Sequence, residues 1–157
     1  MKILIIEDDS SIAKCMNEFF KIAGHDCDIY LNPEEGLSAC KNGEYDVVFS
    51  DIRMPGMDGI QVIGKIREHD PEACVILMTG YADVENAIEA VNNGAYAFFR
   101  KPLDIKIIIK TLEKIEKDIG SKLTEQTKDS ELMRLCLEYR DLEASIRTKI
   151  SEHYEYV

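Results

Sequence analysis

The segment Asp46–Gly59, "DVVFSDIRMPGMDG", decides the fold. It opens with an apolar run rich in β-branched residues, the composition of a buried strand. The run ends on an aspartate, Asp51, and Pro55, Gly56 and Gly59 forbid regular structure just beyond it. Asp58 then stands where a helix N-cap belongs, ahead of a helix read over Gly59 to about His69. A turn explains the glycines but not a carboxylate where a strand meets the surface.

Working outward, the same strand–loop–helix unit recurs on both sides. "KILII" and "CDIY" are strands before it, and "CVILM" and "YAFF" are strands after it. Between them lie amphipathic stretches, among them "SSIAKCMNEFFKIAG" with Ile12, Cys15, Met16, Phe19, Phe20 and Ala23 on one face. Asn32-Pro33 starts the next helix, and Asn42-Gly43 stops it. Asp83 and Asp104 stand as caps for the last two helices of the series. This alternation predicts an α/β fold, a doubly wound five-stranded parallel sheet with helices on both faces, with a C-terminal helical extension. The expected organisation is a domain over 1–119, a linker over 120–130 and a helical tail over 131–157.

Composition narrows the function. A net charge of −11 disfavours direct contact with nucleic-acid phosphates. No apolar run reaches the roughly 20 residues of a membrane span, and the start lacks a signal-peptide pattern. Cys15, Cys27, Cys40, Cys74 and Cys136 form no CxxC pair and read as reduced thiols. His25, His69 and His153 have no ligand spacing. The expectation is a cytoplasmic protein with no membrane partner.

In an open parallel sheet, ligands bind beyond the carboxyl ends of the strands. The strands deliver Glu7, Asp8 and Asp9, then Asp51, Thr79 and Lys101 to that edge. Clustered carboxylates repel and call for a cation, and hard oxygen donors suit Mg2+. With that charge balanced, Asp51 is a nucleophile toward an activated phosphoryl group, and Thr79 and Lys101 meet the added oxygens.

"IIEDDSS", "SDIRMPGMDG", "ILMTGYAD" and "AYAFFRKPL" together resemble the receiver domain of two-component response regulators, the second motif being similar to receivers of the nitrogen-regulator type. The resemblance runs from Met1 to about Ile119. It implies a flavodoxin-like sheet of order 2-1-3-4-5. It implies Asp51 as phosphoacceptor and Mg2+ held by Glu7, Asp8, Asp51 and the backbone carbonyl of Arg53. Thr79 is then the switch hydroxyl, Lys101 the site ammonium, Phe98 the switch aromatic and Lys101–Pro102 a cis peptide. Asp9 ranks second, and Tyr81 is a candidate shield for the acyl phosphate. The implied phosphodonor is a sensor histidine kinase, and the implied protein is a phosphoacceptor and not an enzyme.

Three rival readings compete with this one. A flavodoxin-like FMN carrier needs a donor-rich loop after the first strand, where this chain has three acids. A haloacid-dehalogenase-type phosphatase carries an aspartate two residues after the nucleophile, where this chain has Arg53. The third is a scaffold or dimerisation module whose tail is the working part, with Leu132, Leu135, Tyr139, Leu142 and Ile146 as a coiled-coil seam joining two chains in an antiparallel or bundled homodimer. The chain also suits the N-terminal receiver of a longer regulator.

Overall fold

The computed structural model describes residues 1–80 and 84–118, the side chains of residues 84–87 excepted. The chain divides into two compact units, Met1–Asp104 and Ile105–Val157. The first holds β1 (Lys2–Ile6), α1 (Ser10–Ile22), β2 (Asp26–Tyr30), α2 (Pro33–Asn42), β3 (Val47–Asp51), α3 (Gly59–His69), β4 (Val75–Thr79), α4 (Val84–Asn92) and β5 (Ala97–Arg100). Of the second unit, the described part is the helix α5 (Ile105–Asp118), whose buried residues include Ile108, Leu112 and Ile115.

The five strands form one parallel sheet of order β2-β1-β3-β4-β5, the order expected. β3 and β4 are buried along their whole length, which is why they read as unbroken apolar runs. On one side, Leu4, Ile6, Val48, Leu77, Ile63 and Ile66 belong to a continuous core. Arg67 ties this layer together from α3, donating to the carbonyls of Pro71, Ala73 and Gly94. Among the described residues, no helix is long and apolar enough to cross a membrane.

Helix starts follow the chemistry read from the sequence. Asn32 accepts from the Glu35 N–H at 2.9 Å. Asp58 and Gln61 form a reciprocal capping box at the head of α3. β3 ends on Asp51 as expected, whereas β4 and β5 run one residue beyond the apolar pattern, to Thr79 and Arg100. The ladder explains the difference, since Thr79 pairs with Arg100 through backbone groups that need no apolar side chain. The Asp83 cap, the Tyr81 shield, the linker over 120–130, the tail seam and Ile119 lie outside the described residues.

Candidate functional site

β1 ends at Ile6, and the chain turns at once through Glu7, Asp8 and Asp9. These three acids have different fates. Asp9 caps α1, accepting from the N–H groups of Ser11 at 2.8 Å and Ile12 at 3.1 Å. Its own N–H donates to Glu7 Oε1 at 3.3 Å, which helps hold that carboxylate. Asp8 is exposed, and Glu7 is buried at 1 % exposure.

Glu7, Asp8 and Asp51 each bring a carboxylate oxygen into a group whose members lie within 4.8 Å of one another. A cationic side chain, that of Lys101, answers this charge. Lys101 Nζ donates to Glu7 Oε2 at 2.6 Å and to Asp51 Oδ2 at 2.9 Å. The arrangement is largely shielded from water, with the Lys101 side chain 14 % exposed and that of Asp51 9 %.

The electrostatics follow. Burial pushes the Glu7 carboxyl up from its ordinary value to about 7, against the pull of Lys101 and with a further push from Asp51. Burial alone would lower Lys101, but the Glu7 and Asp51 carboxylates outweigh it and hold the ammonium above its ordinary value.

Backbone geometry fixes the phosphoacceptor candidate. The Ile52 N–H donates to the Met78 carbonyl at 2.8 Å, and the Gly59 N–H donates to the Ile52 carbonyl at 2.8 Å. The Arg53 N–H approaches Asp51 Oδ1 at 3.4 Å. Thr79 is fully buried at the end of β4, and its carbonyl accepts from the Lys101 N–H at 2.7 Å. That bond sets Lys101 beside the end of β4. The Lys101–Pro102 peptide is cis. Phe98 is half-buried on β5 and packs against the core.

The donor set fits Mg2+. Three carboxylates supply hard oxygens, and the exposed Asp8 leaves the group open to the waters that Mg2+ retains. Elsewhere, burial pushes the Cys27 thiol up to about 12 and Cys40 up to about 11, which removes them as nucleophiles near neutrality. A cleft of about 210 Å3 lies between α2 and α3, lined by Cys40, Lys41, Asp46, His69 and Ala73 among others. These residues precede the strands, so the cleft is remote from Asp51 and takes no part in its chemistry.

Two residues at the site escaped the sequence reading. Ser50 is fully buried and donates from Oγ to the Asp51 carbonyl at 3.0 Å. Gly59 opens α3 with its backbone against Asp51. A signal existed for the second: glycine is a poor helix former, and here it follows a strong N-cap directly.

A family model described as "Response regulator receiver domain" matches residues 3–113. The C4-dicarboxylate transport transcriptional regulatory protein DctD of Rhizobium meliloti is 33 % identical over 114 residues, covering 73 % of this chain and 25 % of the relative. The DNA-binding transcriptional regulator NtrC of Salmonella typhimurium is 36 % identical over 110 residues, covering 70 % of this chain and 24 % of the relative. The chain thus matches about a quarter of the length of these relatives. Among solved structures, the response regulator protein TrrA of Thermotoga maritima in complex with Mg2+-BeF has a TM-score of 0.67 and 29 % identity, over 73 % of this chain and 97 % of that one.

Proposed function

The chain belongs to the response regulator receiver family, and from that footing we propose that Asp51 is the phosphoacceptor of its Mg2+-dependent switch. The observation that carries this is the ammonium of Lys101 between the carboxylates of Glu7 and Asp51, with Asp8 alongside.

Glu7, Asp8 and Asp51, with the Arg53 carbonyl, are the residues that would hold Mg2+. The ion, when bound, neutralises charge on the phosphoryl oxygens. An Asp51 carboxylate oxygen forms the new bond to phosphorus as the donor's bond to phosphorus breaks, and the electron pair departs with the donor. Lys101 holds Asp51 in place and meets the incoming charge. Thr79 hydrogen-bonds the added phosphoryl group, and Phe98 turns with it. The product stays on the protein, so the step is stoichiometric and the chain is a phosphoacceptor.

The phosphodonor class is a phosphohistidine of a sensor kinase. The compartment is the cytoplasm, where reduced thiols such as Cys27 and Cys40 persist. The NtrC relative is a DNA-binding transcriptional regulator, of which the match covers about a quarter. For this acidic chain no direct nucleic-acid contact is proposed. A longer regulator with this receiver at its N-terminus fits the same match. Association of two chains through the 131–157 tail remains a proposal, which solution mass by light scattering tests.

Acetyl phosphate is the test of the central step. With Mg2+ it should add one phosphoryl group to the intact chain, and EDTA or Asp51→Asn should abolish the addition. Labelling that is indifferent to both would refute the proposal.

A further inference from the structure

Gly59 is the first residue of α3, and its backbone presses on the phosphoacceptor peptide. A Cβ placed there would lie 2.4 Å from the Asp51 carbonyl oxygen, 2.8 Å from Ile52 Cα and 3.1 Å from the Asp51 carbonyl carbon. All three are main-chain atoms, which cannot rotate aside as a side chain would.

The other described glycines sharpen the contrast, including Gly43, where a Cβ would meet the Tyr45 ring at 2.9 Å and no main-chain atom nearer than the Ala39 carbonyl oxygen at 3.2 Å. Gly24, Gly56 and Gly94 have positive φ, a conformational need that Gly59 does not share. Gly36 faces the flexible side chain of Ile6, and Gly64 and Gly80 face open space. At Gly59 the requirement is close approach alone.

We propose that Gly59 is a positioning residue for phosphorylation: its missing side chain lets α3 seat directly on the Asp51 peptide and fixes the carboxylate against Glu7 and Lys101. This rests on Asp51 being the phosphoacceptor. The Gly59 N–H bond to the Ile52 carbonyl, at 2.8 Å, and the capping box of Asp58 and Gln61 make the loop and α3 one seated piece. Opening 2.4 Å to the roughly 3.0 Å that real contacts reach would part the two backbones by about 0.6 Å. Displacements of about 1 Å in a reacting group cost up to about 10²-fold in rate.

The experiment compares Gly59→Ala, Gly64→Ala, the double variant and wild type, all as the full chain, with acetyl phosphate and Mg2+. Labelling is followed by intact mass, and folding by circular dichroism melts. Gly64→Ala is the control for a glycine-to-alanine change in the same helix. It should raise the melting temperature and leave labelling unchanged. Gly59→Ala, alone and in the Gly64→Ala background, should melt cooperatively yet label at least about tenfold more slowly at saturating acetyl phosphate. Its half-maximal Mg2+ concentration should rise as Asp51 moves from its partners. Labelling of folded Gly59→Ala at the wild-type rate overturns the inference. Failure of both Gly59 variants to fold also overturns it, because the residue would then be needed for folding as such. If wild type and Gly64→Ala both stay unlabelled, it is the reading of Asp51 that fails.

Discussion

Lys101 Nζ lies 2.9 Å from Asp51 Oδ2, across a separation of 50 residues. The turn after β5 and the end of β3 meet because β4 lies between their strands and pairs with both. The same ammonium bonds Glu7 Oε2, so one side chain binds the acids of β1 and β3 together.

Removing that ammonium by Lys101→Met should separate two effects. Carboxylates less than 5 Å apart repel by about 3 kcal/mol at an effective dielectric near 20, before solvent screening. At pH 8, Mg2+ should therefore bind about tenfold more tightly, having lost its competitor. Labelling by acetyl phosphate should nevertheless fall well below wild type. Calorimetric Mg2+ titration and intact mass measure the two quantities, and a fall in both would mean that Lys101 acts only on the fold.

Glu7 gives the apo protein a pH dependence with a definite sign. Its folded value, about 7, exceeds its ordinary value of 4.5, so the native state binds the proton more tightly. The stability this contributes is present below about pH 4.5 and is lost as pH rises through about 7. Apo melting temperatures should fall across that window, and Glu7→Gln should flatten the fall. Mg2+ requires the ionised form, so its stabilising effect should grow with pH over the same range. A wild-type profile that Glu7→Gln reproduces unchanged would contradict this.

Asp9 should behave unlike its two neighbours. It caps α1, so Asp9→Ala should cost about 1 kcal/mol of stability. Mg2+-dependent labelling should survive in that variant and fail in Asp8→Ala. Denaturant melts and mass spectrometry decide; loss of labelling in folded Asp9→Ala would place it among the metal ligands.

The switch is expected at Thr79 and Phe98. A phosphoryl group adds about −1.5 to −2 charges, and drawing the Thr79 hydroxyl to it frees space for Phe98 to turn inward. A reversal from 1:99 to 99:1 needs about 5.5 kcal/mol of differential stabilisation, so a partial shift is expected. Beryllofluoride with Mg2+ should change the NMR environment of Phe98 in wild type and leave it unchanged in Thr79→Ala. Equal changes in both would uncouple the two residues.

Most of this fold was legible because its signals are local. Apolar runs such as "DVVFS" and "CVILM" mark doubly buried strands, and Asn32, Asp58 and Gly24 mark helix ends. The converging acids were readable because parallel strands deliver their ends to one edge. Two things were not readable. The resemblance ranked Asp9 behind Glu7 and Asp8, but its capping task depends on where the first turn of α1 begins, which three consecutive acids do not specify. The role of Gly59 depends on a distance between two main chains, and its residue type alone suggested a turn.

The most direct measurement locates the phosphoryl bond itself. The chain is labelled with acetyl phosphate and Mg2+, reduced with borohydride, digested and mapped by mass. Hydride reduction converts an aspartyl phosphate to homoserine, leaving a permanent mark at the modified position. The account predicts homoserine at position 51 and at no other aspartate. Homoserine at Asp8 or Asp9, or a phosphoryl group that resists borohydride, would contradict it.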